Sequence, residues 1–243
     1  MFHEVDIMRY IGYALLALAV VIPSTVCMSG QSHSAVETDP IFIRVTIYPT
    51  ASLSRYDYNN DIDLYEIRPY IEVRAGSANG IVISDARVTV SGTELEFKDG
   101  QYLARIPVKR DALPKDFSIR IAAPERRIIE KTLPLLGWLI LESPRPDIIE
   151  SGQDIEVRWM STGTCGPVNV RAYDFKSDRF QFNLDDVENE IAVIPADFFP
   201  PSTIVRLFVI TSWISKRFFE DPGTARGSEI NVIPWSQVFF RTK

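Results

Sequence analysis

The sequence predicts an all-β fold of two antiparallel β-sandwich domains in tandem, preceded by an N-terminal export segment. Three observations predict it. Runs rich in Val, Ile, Phe and Tyr alternate apolar with polar residues, the period of a strand with one face buried. Gly, Pro, Asn and Asp pairs break these runs about every ten residues, as turns do. No stretch of useful length carries apolar residues at the helical period of about 3.6.

The chain is long enough for one large or two small cores, because 46% of its 243 residues are apolar and 24% charged. Its net charge is −6, and Lys and Arg are scattered instead of gathered into a stripe, so nucleic acid is not an expected partner.

The first element is "MRYIGYALLALAVVIPSTVC", in which the basic Arg9 precedes an apolar run of 12 residues, 11–22. That length suits the hydrophobic region of a signal peptide and falls short of the roughly 20 residues of a membrane-spanning helix. The preceding "MFHEVDI" carries Glu4 and Asp6, unusual ahead of such a run, which makes Met8 an alternative start to Met1. "STVC" resembles a bacterial lipobox, with Cys27 as the lipid-bearing residue. Val26 and Ser24 depart from that pattern. Cleavage after Ser34 in "SHSA" and an uncleaved anchor stay open as alternatives. On the lipoprotein reading, residues 1–27 are the signal, 28–39 a flexible leader, and the protein is exported and held to a membrane through Cys27. Cys165 is then left alone, and no disulfide framework supports the fold.

The first domain is expected over 40–134. "IFIRVTIYP" (41–49), "YIEVRAG" (70–76), "ARVTVSG" (86–92), "ELEFKDG" (94–100) and "QYLARIPV" (101–108) alternate, and the Ser91-Gly92 and Asp99-Gly100 pairs are hairpin turns. These runs read as a meander of one half-exposed sheet. The boundary falls at 134–137, and the second domain is expected over 138–243. It holds "LILESPRP", "DIEVRWMST", "PVNVRAYDF", "DRFQFNL", "NEIAVIP", "TIVRLFVITSW" and "EINVIPWSQVFF". Seven strands over about a hundred residues is a sandwich pattern. Trp159 shares a face with Ile155 and Val157 and should fill that core.

The pair "ARVTVSG" and "DGQYLARI" resembles small bacterial Ig-like or carboxypeptidase-regulatory-like domains. "SGQDIEVRW" with "VNVRAYD" and "EIAVIPADFF" is similar to fibronectin-like and Ig-like domains of bacterial surface proteins. The resemblance implies tandem Ig-like sandwiches in an extracytoplasmic setting and no particular ligand.

Chemistry is constrained chiefly by histidine. The chain has two, His3 and His33, both ahead of the first expected strand, so the folded part offers none for a Ser-His-Asp triad, a zinc site or a proton shuttle near neutral pH. Cys165, in "GTCGP", has no histidine to activate it. Glu66, Glu72, Asp178, Asp185 and Glu188 could supply a carboxylate pair for glycoside hydrolysis, but alternating acids also suit the wet face of a sheet.

"YDYNNDIDLYE" places Asp57, Asn59, Asp61 and Asp63 at every second position. Counted from Asp57 as an EF-hand loop, the glycine position is Ile62 and the closing glutamate position is Arg68, so that motif fails. Alternation gives a polar loop running into a strand; a weak calcium site closed by loop carbonyls or Glu66 is the alternative.

Trp138, Trp213, Trp235 and the pairs Phe198-Phe199, Phe218-Phe219 and Phe239-Phe240 remain. A paired Phe in a strand sends one ring to each face, so one ring of each pair is either packed between domains or offered to a partner. The function expected is non-catalytic, without a cofactor: a binding or structural protein of the cell envelope, contacting a membrane through its anchor and another envelope protein or a polysaccharide. The alternative is a carbohydrate-active protein, either a carboxylate glycosidase or a sugar-binding module.

Overall fold

The run expected to end at Pro49 continues to Asp57 as one long strand, β1 (Ile41–Asp57), and returns as β2 (Asn60–Ala75), in register from Ile41↔Ala75 to Asp57↔Asn60. The computed structural model describes residues 39–243 apart from 58–59, 127, 146–147, 177–178, 213–214 and 220, with the backbone alone at 53–57, 60–63, 179–181 and 215–218. The export segment, the leader to residue 38, Cys27, Asn59, Asp178 and Trp213 lie outside the described residues.

The strands that follow are β3 (Arg87–Val90), β4 (Thr93–Glu94), β5 (Glu96–Lys98), β6 (Gln101–Leu103), β7 (Ile106–Val108), β8 (Asp116–Ala122) and β9 (Ile129–Pro134). Then come β10 (Leu139–Ser143), β11 (Ile148–Ile149), β12 (Ile155–Ser161), β13 (Val168–Asp174), β14 (Arg179–Val187) and β15 (Ile191–Ile194). The last are β16 (Ile204–Thr211), β17 (Ser215–Phe218), β18 (Glu229–Val232) and β19 (Trp235–Thr242). Helical structure among the described residues is one 3₁₀ turn, Arg110–Ala112, so the chain is all-β.

A long sheet runs β14-β13-β16-β19-β1-β2-β6-β5, with β18 and β17 added at β1, β7 at β2 and β11 at β19. Residues from the β1–β2 half of this sheet share a core with the four-stranded sheet β4-β3-β8-β9, including Ile43, Ile71, Val88, Phe117 and Ile119. Those of the β13–β19 half share a second core with the three-stranded sheet β10-β12-β15, including Val157, Trp159, Val170, Leu207 and Phe240. Trp159 is buried beside Ile155 and Val157, where period-two counting puts it.

Both hairpin turns form as their dipeptides require. Ser91-Gly92 and Asp99-Gly100 have positive φ at both residues, closing Val90↔Thr93 and Lys98↔Gln101. The single-sheet meander is not observed. β3 and β4 belong to the four-stranded sheet and β5 and β6 to the long one, so the chain crosses between sheets at the buried Leu95.

Pro49 and Pro69 do not interrupt their strands because each stands where the neighbouring strand changes. Beside β1 the partner switches from β18, ending at Ile47↔Val232, to β19, beginning at Thr50↔Trp235. Beside β2 it switches from β7 at Ile67 to β6 at Tyr70. A residue without an N–H costs no ladder bond at such a step.

Residues 134–137, the expected boundary, are packed and hydrogen-bonded. The Leu135 N–H donates to Lys115 O (2.8 Å) and its side chain is buried in the first core. Gly137 has φ +144°, and a Cβ there would stand 2.9 Å from Gly163 N and 3.0 Å from Cys165 Sγ. β10 is buried on both faces: Leu139 and Leu141 enter the second core, while Trp138 and Ile140 enter the first. The C-terminal hairpin also departs from the expected partition. Phe219, Ile230 and Val232 pack into the first core, because β18 pairs with the opening of β1.

Candidate binding face

Along β13, β16 and β19 the residues Val168, Val170, Ala172, Val205, Leu207, Val209, Val238 and Phe240 point into the second core, so the residues between them stand on the outer face. Antiparallel register sets Tyr173 opposite Arg206 and Arg206 opposite Phe239; one step along, Arg171 lies opposite Phe208 and Phe208 opposite Gln237. Ile210 and Trp235 make the next row, and the parallel pairing of β19 to β1 continues the rows into Thr50 and Ser52.

Register therefore gathers an arginine and several rings on this face. The Arg206 guanidinium lies 4.3 Å from the Phe208 ring centroid, 5.3 Å from Phe239 and 5.9 Å from Tyr173. Its Nε and Nη2 donate to Gln237 Oε1 (3.2 and 3.0 Å), and Gln237 Nε2 donates to the buried Ser52 Oγ (3.2 Å). The rings brace one another: Tyr173 and Phe208 stack at 5.6 Å and 27°, Phe208 meets Trp235 at 5.6 Å, and the exposed Phe175 meets Phe239 edge-on at 5.5 Å. Trp235 is covered by Arg68, whose guanidinium sits 5.4 Å from its centroid while forming an ion pair with the buried Glu66. Each arginine–ring contact is worth about 0.5–1 kcal/mol at an exposed site and more where water is excluded. Arginine keeps its charge at any working pH. The arrangement can hold a shape and a charge in place.

The outer face over the first core is built from ion pairs. Glu72 accepts from Arg44 Nη1 (3.3 Å), Arg74 Nε (3.4 Å) and Gln101 Nε2 (3.1 Å), and Arg44 Nε also donates to Glu229 Oε1 (2.9 Å). Tyr48 and Tyr70 meet edge-on at 5.5 Å. Burial, and secondarily Tyr70, raises the Tyr48 phenol above its ordinary range.

The residues singled out in the sequence fall as follows. Asp57, Asp61 and Asp63 lie on the backbone of the β1–β2 hairpin, Asp57 opposite Asn60 and Asp63 opposite Leu53, so the alternation belongs to a strand tip. Among the described residues no group of three or more His, Cys, Asp or Glu could hold a metal. Glu66 and Glu72 are engaged with arginines, Asp185 with Asn183 Nδ2 (2.8 Å) and Arg171 (3.9 Å), and Glu188 is exposed. Cys165 is buried in the second core; burial raises its thiol pKa, against a smaller lowering by a hydrogen bond to Ser161.

The Phe239-Phe240 pair divides as a strand dictates, Phe240 in the core and Phe239 on the outer face. Phe199 is buried, and Phe198 packs against the same core edge-on to Phe182 at 5.3 Å. Phe219 is in the first core. Sequence reading flagged Phe239 and Trp235 but missed Arg206, Phe208 and Tyr173. The two rings carried a signal, since Tyr173 and Phe208 occupy solvent-side positions of alternating runs, where a polar residue is ordinary and a large ring is not; Arg206 at such a position is ordinary and carried none.

No protein-family model matches the chain, and no curated protein matches it. Among solved structures it is similar to the tandem Ig repeats of Dlar, at 12% identity over 84% of this chain and 100% of that one, with a TM-score of 0.29. It is also similar to the BSP domain of a biofilm associated protein (13% identity; 83% of this chain, 30% of that one; TM-score 0.24). A third is the FN1–FN3 segment of chicken CNTN1 (13% identity; 84% of this chain, 66% of that one; TM-score 0.25). Similarities this slight transfer no ligand, partner or activity.

Proposed function

We propose that the protein is a non-catalytic binding or structural module of the cell envelope, exported and held to a membrane through lipid on Cys27, and that the Arg206 face of the long sheet is its contact surface. One observation carries the choice of face. The solvent side of β13, β16 and β19 displays Tyr173, Phe175, Phe208 and Phe239 around a fixed guanidinium where polar side chains would serve solubility. Aromatic residues and arginine are the types enriched where proteins meet partners. Tyr173 and Phe208 are stacked on each other and the Arg206 guanidinium lies over Phe208, so these ring faces are already in use, which favours a protein partner over a stacked sugar.

Two measurements test this reading. Membrane fractionation of a Cys27→Ala variant should find the protein released, and intact mass should show a diacylglycerol adduct on the wild type; a mature chain beginning at Ala35 contradicts the anchor. Phe175→Ser and Arg206→Ala variants that keep the wild-type melting temperature within a few degrees should lose retention on isolated envelope material. Undiminished retention in both contradicts the chosen face.

A further inference from the structure

The second sandwich is open along one side. β14 ends the long sheet and β15 ends the three-stranded sheet, and the chain passes directly from one to the other through residues 188–190. Leu184 is the register partner of the fully buried Val170, so it points inward, yet it is 39% exposed. β14 therefore projects one strand beyond β15, and among the described residues the facing sheet has no strand that would cover Leu184.

The edge of β15 is prepared for such a strand. The Trp159 N–H donates to Glu190 O (3.2 Å), which fixes the parity: in the β12–β15 ladder residues 190, 192 and 194 hydrogen-bond inward, and Ile191 and Val193 turn their backbone groups off the edge. The Ile191 N–H is used locally by Asn189 O, whereas no described residue pairs with the Val193 N–H or C=O. On the sheet's outer side Ile191 (41%), Val193 (47%) and Met160 (38%) are exposed together. β15 itself, "IAVI", has none of the lysines, prolines or bulges that blunt a sheet edge.

We infer that this edge receives an extended strand from a partner protein, hydrogen-bonding to Val193 and laying alternate apolar side chains over Leu184 on one side and beside Ile191 and Val193 on the other. Charge selects the partner. Asp185, Asp186, Glu188 and Glu190 are exposed along the rim, and among the described residues Asp185 alone of these four forms an ion pair with an arginine, Arg171. A second copy of this chain would bring those four acids against the same four. A strand with apolar alternation and basic flanks meets the seam and the rim together.

The test uses the whole mature chain and a fluorescent probe peptide, Lys-Lys-Val-Thr-Val-Thr-Val-Lys-Lys, with a version flanked by glutamates as its control. Fluorescence anisotropy should show the lysine-flanked peptide binding at least tenfold more tightly, and hydrogen exchange should show the Val193 amide protected in its presence. Val193→Pro should abolish binding without unfolding the chain, since that N–H serves no ladder within the protein, and Val193→Lys should weaken it at least tenfold. Arg206→Ala, on the other face, should bind as wild type, which separates this edge from the contact face proposed above. Equal binding of the two peptides, an unprotected Val193 amide, or a wild-type dimer in sedimentation that Val193→Lys dissociates would each overturn the inference.

Discussion

The two halves of the long sheet share β1, yet their outer faces are built by different chemistry. Over the first core the face is closed on itself, with Glu72 taking donors from Arg44, Arg74 and Gln101 while Arg44 reaches on to Glu229. Over the second core it is carried by Arg206 among Tyr173, Phe208 and Phe239, with Gln237 as its oriented acceptor. Carboxylates satisfy the arginines of the first half, and what shows to solvent there is a neutralised network. In the second half a large apolar surface stands beside a fixed cation. The difference separates two kinds of surface: paired charges keep the first face polar, whereas half-buried rings beside the exposed Phe175 leave apolar area on the second, a cost in solubility that a partner would offset.

The largest expected effect tests the core beneath the second face. Trp159→Ala removes the ring that fills it and should cost about 3–5 kcal/mol, measured by denaturant unfolding. Because β10 is buried in both cores and β1 is hydrogen-bonded to β2 of the first half and to β19 of the second, the loss should appear in one transition followed by fluorescence and circular dichroism together. Two separated transitions would show that the halves unfold independently and would break the comparison at its base.

A smaller effect is expected on the first face. Glu72→Gln should cost about 1–2 kcal/mol, since hydrogen bonds to a charged group are lost at partly exposed arginines. That cost should shrink at 1 M salt, where the Debye length is about 3 Å. Arg206→Ala should cost only about 1 kcal/mol and show little salt dependence, its partners being rings and an amide. If the two variants behaved alike in salt, the faces would not differ as described.

The smallest effect is a pH slope. The buried Cys165 thiol has its pKa raised in the folded chain, so above about pH 8.5 the unfolded chain ionises first and stability falls. The contribution is present in full below the unfolded pKa and disappears as pH rises through the folded one. Tyr48 and Tyr102, also raised chiefly by burial, act with the same sign above about pH 10. Cys165→Ala should flatten the decline between about pH 8.5 and 10 in a melting-temperature series.

Much of the fold was legible because strands with one wet face write their period into the chain. Trp159 with Ile155 and Val157, and the two hairpin dipeptides, required nothing beyond local rules. What local rules missed depends on partners distant in sequence. Pro49 reads as a strand end unless the switch from β18 to β19 is known, and that switch lies nearly two hundred residues away. "LPLLGWLIL" reads as a boundary, whereas its unbroken apolar run reflects a strand with a core on each side. Arg206 was missed for the same reason: its rings come from three strands, and only register shows that they meet.

Photo-crosslinking in the cells that make the protein can tell whether the second face, and not the first, makes contact. A photoreactive amino acid is placed at Phe175 in one variant and at Arg74 in another, each in wild-type and Arg206→Ala backgrounds. A discrete adduct is expected from position 175, disappearing in the Arg206→Ala background, and none from position 74. Adducts of equal yield from both positions, or one from position 74 alone, would contradict it.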